Sequence, residues 1–458
     1  MVGDRTGRAA AVIGFCLAAG AGTRLWPLTR AVPKPLLAPA GRPLVDLAVE
    51  ALQAAGATRV VVNAHDGADQ LVALLAGRAG VEVVVEPVLL GTGGGLVNAA
   101  RLGLLGDGDD PVLVTAADHV VDPADLAALA AFLEQAGAPM AAGLVPATTD
   151  HFGLRLEAPA PDPPPGPWTP QDPPPPGLWT TGSLRPPVGL RSPTGGPDAR
   201  GPDAGAASTT GGPGTRGPDT GVAPTTGGPD ARGPDAGAAS VSSAASVSGA
   251  GPVTGAGSAG GRTGGRVVRD PDGGWDSAGM YAVRAGLLCD LEPGYATLVG
   301  RVLGPLLEAG RLVGLPVRGP VADAGTLARL LDVSAGLLTG RWSYALPSGR
   351  LVRGPPAGAA VPLEAAGSSP VLQGPVFTGA GVEIDPAALL AGPVVLDAGC
   401  RVGAGAVVTR SVVGPGAVVG AGARVVGSFL GPGAQVLPGT TVTAALVPGP
   451  PACQPDPR

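Results

Sequence analysis

From Val12 to Leu17 the chain is almost continuously apolar and then breaks into glycines. A short unbroken run of this kind predicts a strand buried on both faces. β-branched runs at Arg59 to Asn63 and Val81 to Glu86, and an apolar run at Pro111 to Thr115, predict three more strands. Between them, Leu44 to Ala55 spaces its apolar residues as a helix does. Asp122-Pro123 reads as an N-cap with proline at the first helical position, opening a helix that stops at Gly137. The alternation resumes after residue 265, with strands at Arg266 to Val268, Gly279 to Arg284 and Arg311 to Pro316. Helices are predicted near Leu298 to Ala309 and Thr326 to Leu338. Alternating strands and helices predict an α/β fold with a mostly parallel sheet covered on both faces. Ligands of such sheets sit beyond the carboxyl ends of the strands, where Gly20 to Arg24 and Asp118 fall.

Two stretches break the alternation. In 158–265, Pro, Gly, Ala, Ser, Thr and Asp dominate, and a 16-residue repeat starts at Gly195, Gly211 and Gly227. The repeats carry almost no apolar residues to stack, so they predict a low-complexity disordered insert. This insert splits one domain into halves at 11–157 and 266–345, because the residues after it complete the first half. A Pro/Gly linker is expected over 346–371, and a disordered tail over 448–458. Over 372–447 single aliphatics recur every six positions: Leu390, Leu396, Val402 and Val408, then after a one-residue slip Val413, Val419 and Val425, then after another Leu430, Val436 and Val442. Period six with small residues following predicts a parallel β-helix of hexapeptide repeats, in which the small residues make the corners.

Composition narrows the partners. The net charge of −6 leaves no electrostatic footprint for nucleic acid. No apolar run reaches the ~18 residues that would span a bilayer, so no membrane partner is expected. The first residues lack the layout of a secretory signal, and Cys16, Cys289, Cys400 and Cys453 have no paired spacing, so neither zinc nor a disulfide framework is indicated. The expected location is cytoplasmic. Among the 30 basic residues, Lys34 is the only lysine. Arginine can serve most surface roles of lysine, so a lone survivor points to chemistry that uses a compact ammonium.

Lys34 lies ten residues after Arg24 in Leu17-Ala-Ala-Gly-Ala-Gly-Thr-Arg24-Leu-Trp-Pro-Leu-Thr-Arg-Ala-Val-Pro-Lys34-Pro. Glycines of this kind let backbone N–H groups approach phosphate oxygens, and Arg24 adds a forked cation. The run closely resembles the N-terminal signature of sugar-1-phosphate nucleotidylyltransferases, and its Leu-Trp-Pro-Leu-Thr wording is similar to mannose-1-phosphate guanylyltransferases. Glu86-Pro87 and Leu90-Gly-Thr-Gly-Gly-Gly-Leu96 resemble the base-recognition loop of that family. His151-Phe152-Gly153 resembles its sugar-contacting turn, and Ser277-Ala-Gly279-Met-Tyr281 its Asn-Ala-Gly-x-Tyr strand. Asp118 and the Asp323-Ala-Gly-Thr326 segment resemble its two metal-binding aspartates. Three departures stand out: Ala117 replaces a glycine, Ser277 replaces an asparagine, and the Glu-Lys-Pro segment is absent, Val268-Arg269-Asp270-Pro271 standing in its place.

The resemblance implies a Rossmann-like sheet followed by a left-handed β-helix. It also implies transfer of a nucleotidyl group from a nucleoside triphosphate to a sugar 1-phosphate, possible products including GDP-mannose. Arg24, Lys34 and Asp118 would be catalytic, and Asp118 and Asp323 would hold Mg²⁺. Leu17, Ala18, Ala19, Gly20, Gly22, Thr23, Glu86, Gly91 and Thr92 would bind the nucleotide, and Gly153, Ser277 and Gly279 the sugar. The missing Glu-Lys-Pro lysine leaves open a second reading, a catalytically impaired homologue that binds nucleotide or NDP-sugar and regulates a partner. An acyltransferase carried by the repeats would need a histidine there as general base. The three histidines, His65, His119 and His151, all lie in the N-terminal half, which argues against it. The repeats are expected to pack on the catalytic domain or to make the protein a homo-oligomer.

Overall fold

The computed structural model describes residues 11–147, 154–157, 263–270, 272–355 and 369–450. Four strands, β1 (Ile13–Leu17), β2 (Arg59–Ala64), β3 (Val81–Val85) and β4 (Pro111–Ala116), pair parallel in the order β3-β2-β1-β4. From β1 the chain first builds outward to β2 and β3, then returns to lay β4 on the other side. That reversal is a topological switch point, and it opens a crevice beyond the carboxyl ends of β1 and β4. Helices α1 (Leu28–Ala31), α2 (Leu44–Ala54), α3 (Ala68–Leu75), α4 (Gly91–Arg101) and α5 (Pro123–Ala136) connect these strands and the next. The caps of α5 are those its sequence predicts. The Asp122 carboxylate accepts from the Ala124 N–H at 2.8 Å, Pro123 opens the helix, and Gly137 closes it at φ +58°.

The rest of the sheet differs from the mostly parallel expectation. After β5 (His119–Val120) come β6 (Met140–Pro146), β7 (Leu154–Glu157), β8 (Gly265–Arg269), β9 (Trp275–Arg284) and β10 (Leu312–Pro316). The nine-stranded sheet has the order β3-β2-β1-β4-β9-β6-β10-β8-β7, with β9 antiparallel to both β4 and β6. β7 pairs antiparallel with β8, so the centre is mixed. Glu157 pairs with Arg266, so the two ends of the insert lie side by side. The repeats themselves, over 158–262, lie outside the described residues. After α6 (Ala285–Cys289), the predicted helix near Leu298 to Ala309 is a π-helical turn at Val299–Leu303 continued by α7 (Gly304–Glu308). Pro305 has no N–H to donate back along the helix, which explains the change of winding there. The two-residue strand β11 (Ala322–Asp323) pairs with β5 outside the large sheet, and α8 (Leu327–Thr339) follows, capped by Thr326.

Part of the expected linker is ordered: β12 (Arg350–Arg353) pairs antiparallel with Pro375–Thr378. From Val371 onward consecutive short strands visit three parallel sheets in turn, an arrangement compatible with a β-helix. Val371, Leu389, Val407, Arg424 and Thr441 stack in register, two steps of 18 residues and then two of 17. Three hexapeptides make 18, so each shorter step holds one of the single-residue slips. All ten period-six aliphatics share one core, nine buried and Val442 partly so. A second set points the other way. Phe377, Val395, Val412 and Phe429 join the core that contains Leu25, Leu28 and Leu337. A Cβ on Gly431 would lie 2.8 Å from Leu28 Cδ1, so the coil docks its second face directly on the α/β part.

Candidate active site

A cavity of about 300 Å³ opens beyond the carboxyl ends of β1 and β4. Of the residues expected to bind nucleotide or act in catalysis, Leu17, Ala18, Ala19, Gly20, Gly22, Thr23, Arg24, Lys34, Gly91, Thr92 and Asp118 line it. The loop after β1 is shaped by its own hydrogen bonds. The Thr29 hydroxyl donates to the Gly22 carbonyl at 2.8 Å, and Gly22 takes φ +61° with Lys34 Cβ only 2.9 Å from where its own Cβ would stand. Among the described residues, the N–H groups of residues 19 to 23 have no hydrogen-bond acceptor, the condition for holding phosphate oxygens.

Charge gathers at the mouth of the β5–β11 ribbon. The Ala324 N–H donates to the Asp118 carbonyl at 2.9 Å, and His119 pairs with Asp323, so the ribbon brings the two aspartates together across two hundred residues of sequence. Lys34 Nζ donates to Asp118 Oδ2. Burial pushes the Asp118 carboxyl upward, but the charges of His119 and Lys34 outweigh it and hold the group down at about 2. Asp323 Oδ2 accepts from Arg329 at 2.6 Å, while its Oδ1 is buried without a hydrogen-bond partner in the structure. A Cβ on Gly325 would stand 2.6 Å from Arg24 Nη2 and 2.7 Å from Asp323 Oδ1, so glycine there lets the guanidinium and the carboxylate share one spot. Among the described residues no group of three or more His, Cys, Asp or Glu could hold a metal. Two hard carboxylates with one orphaned oxygen fit Mg²⁺, which keeps waters and phosphate oxygens in its remaining positions. Cys16, beneath Asp118 on β1, is held as the thiol by burial first and by the Asp118 charge second, so it offers no nucleophile.

Other expected residues do not reach the cavity. Glu86 is buried behind its wall: Oε1 accepts from Asn63 Nδ2 at 2.7 Å and Oε2 from the Leu90 N–H at 3.1 Å. Asn63, which no motif in the sequence singles out, lines the cavity, and its Oδ1 accepts from the Ala18 N–H at 2.7 Å. The sign was there: a single amide ends the β-branched run of β2. Ser277 and Gly279 support the site from β9. The Ser277 and Tyr281 hydroxyls are 2.8 Å apart, and Gly279, at φ +69°, makes room for the His119 ring. Gly153 lies outside the described residues. Arg269 ends β8, exposed and away from the cavity lining.

A phosphate-ready loop, two cations and two aspartates at a switch point define a chemistry. Residues 13–153 match the nucleotidyl transferase family model. The chain is 40% identical over 115 residues to an N-acetylmuramate alpha-1-phosphate uridylyltransferase of Caulobacter vibrioides, covering 24% of this chain and 46% of that protein. It is 39% identical over 111 residues to a mannose-1-phosphate guanyltransferase of Aspergillus fumigatus, covering 23% and 30%. A low-salt glycan biosynthesis nucleotidyltransferase of Haloferax volcanii is 32% identical over 109 residues, covering 24% and 30%. The chain thus matches less than half the length of each of these relatives. Their names span different sugars and at least two bases. Among the described residues no helix is long and apolar enough to cross a membrane.

Proposed function

We propose that this chain transfers a nucleotidyl group from a nucleoside triphosphate to a sugar 1-phosphate, releasing pyrophosphate. The observation that carries this reading is the convergence of Arg24, Lys34, Asp118 and Asp323 beside a loop of free N–H groups. An oxygen of the sugar phosphate forms a bond to the α-phosphorus, and the bond from that phosphorus to the bridging oxygen of the leaving pyrophosphate breaks. No protein nucleophile is needed, because positioning and charge stabilisation suffice. The loop N–H groups and Arg24 hold the triphosphate, and Lys34 moves its ammonium charge between Asp118 and the phosphates. Asp118 and Asp323 would hold Mg²⁺, which when bound neutralises charge on the reacting phosphates. GTP with mannose 1-phosphate is the first pair to try, on the Leu25-Trp-Pro-Leu-Thr29 wording and the guanyltransferase relatives.

One observation favours a second reading. The family position of a sugar-phosphate lysine falls in a segment whose cation here is the exposed Arg269, and Lys34 has no lysine companion. A homologue that binds nucleotide or NDP-sugar without turnover would show such a loss. Pyrophosphate release across a panel of nucleotides and sugar phosphates separates the two: binding without release for every pair leaves only the second. The C-terminal coil is read as a left-handed hexapeptide β-helix whose two undocked faces make a homo-oligomer. Light scattering that finds a monomer, unchanged when the coil is deleted, contradicts the oligomer.

A further inference from the structure

Asp118 and Asp323 meet because the β5–β11 ribbon sets them side by side. Yet the ribbon consists only of Ala322 on Val120 and Asp323 on His119. A two-stranded ribbon is marginal in water even at ordinary strand lengths. Something outside it must fix where β11 lies. The chain reaches β11 from β10 through residues 317–321, and that short strap is pinned along its length.

The Val317 N–H donates to the Leu144 carbonyl at 2.9 Å. The next two N–H groups both donate to the Asp125 carboxylate, Arg318 to Oδ1 at 3.1 Å and Gly319 to Oδ2 at 2.7 Å. The Pro320 carbonyl accepts from Trp342 Nε1 at 3.0 Å. A Cβ on Gly319 would lie 2.4 Å from Asp122 Cβ, so the strap packs directly on the start of α5. Among these pins Asp125 stands apart. It lies in the first turn of α5 and is 2% exposed. A carboxylate taken out of water is costly unless its oxygens are paired. Here the pairing is with the backbone of a segment nearly two hundred residues away.

Asp125 follows Asp118 by seven residues, in one run through β5 and the Asp122 cap into α5. The Tyr344 hydroxyl donates to the Val121 carbonyl at 2.7 Å and steadies that run midway. One aspartate of the run lines the cavity; the other, away from the lining, grips the strap that leads to Asp323. We propose that Asp125 is a positioning residue: by holding the strap, its buried carboxylate sets where Asp323 stands relative to Asp118. This rests on the function proposed above, in which both aspartates hold the metal. Loss of Asp125 leaves both in the chain and loosens one against the other. Groups that orient metal ligands from behind are worth about 10- to 100-fold in metal affinity.

The test is calorimetric binding of GTP and the other common nucleoside triphosphates, in EDTA and in Mn²⁺, to the full chain and to Asp125→Asn, Asp125→Ala and Leu390→Ala. The ratio of the two affinities isolates the metal, because the loop after β1 and Arg24 act in both conditions. The proposal expects Asp125→Ala to shrink that ratio by about 10- to 100-fold, with binding in EDTA unchanged. Asp125→Asn, which keeps the shape and one acceptor, should shrink it by a smaller factor. Leu390→Ala, a buried change in the coil, should keep the full ratio, which separates positioning from general loss of stability. An unchanged ratio in folded Asp125→Asn overturns the proposal, whether or not Asp125→Ala folds. So does an equal loss in EDTA and in Mn²⁺, or an equal loss in Leu390→Ala. Nucleotide binding by the unaltered protein that Mn²⁺ does not strengthen removes the metal reading and the proposal together. A full Mn²⁺ effect that survives in the Asp125 variants removes the proposal alone.

Discussion

Lys34 is the residue on which most of the site converges. It touches Asp118, its Cβ packs at Gly22, and no other lysine exists to take its place. Removing a cation that acts in the transition state costs about 3 to 4 kcal/mol. Lys34→Ala is therefore expected to lower kcat/KM by roughly 10²- to 10³-fold in a pyrophosphate-release assay. Lys34→Arg should recover little of this, since a planar guanidinium is not equivalent to the compact ammonium that meets Asp118. The ion pair also carries a pH signature. The folded Asp118 carboxyl titrates at about 2, below its ordinary 3.8. Its contribution is present above the ordinary value and is lost as pH falls from near 4 through about 2. In Lys34→Ala one lowering influence is gone, so the window below the ordinary value narrows and the loss of stability across it should be smaller; urea unfolding between pH 7 and pH 2 compares the two proteins. At this scale Arg24, Lys34 and Asp118 were legible because a motif and a composition named them. Asn63 and Arg329 were not: Asn63 matters through Ala18 and Glu86, distant in sequence, and Arg329 through Asp323, which only the ribbon sets beside Asp118.

The elements were legible wherever local chemistry decides them. Asp122, Pro123 and Gly137 bound α5 as read, and Thr326 caps α8. The antiparallel insertion of β9 was not legible, because strand direction depends on which neighbour a strand finds and not on its own pattern. The ribbon of β5 and β11 escaped for its length, two residues in each strand giving no periodicity. The coil lies between these cases. Its period of six marked the inward set, but the outward set of Phe377, Val395, Val412 and Phe429 reads as ordinary strand composition until the docking face is seen. Leu390 is fully buried within the coil. Leu390→Ala is expected to destabilise the protein by about 2 to 5 kcal/mol, read as a lowered urea midpoint with an unchanged slope.

Across the whole molecule, the coil and the α/β part share one core through the segment that follows β1. Leu25 and Leu28, which follow Arg24 and its loop, are fully buried in the core that takes in Phe377 and Phe429. The coil thus backs the loop from outside the sheet. The two ends of the insert lie at paired residues of β7 and β8, Glu157 and Arg266. Closure entropy grows as the logarithm of loop length, so replacing residues 159–263 by a four-residue turn should stabilise the protein by about 3 kcal/mol, with nucleotide binding unchanged. Thermal melting and calorimetry check both halves of that expectation; a loss of binding would give the insert a part in the site. Turnover is tested most directly by pyrophosphate release. With Mg²⁺ and a panel of nucleoside triphosphates and sugar 1-phosphates, at least one pair should yield pyrophosphate and NDP-sugar in equal amounts, and Lys34→Ala and Asp118→Asn should suppress both. No release from any pair by a folded protein that binds nucleotide would contradict it.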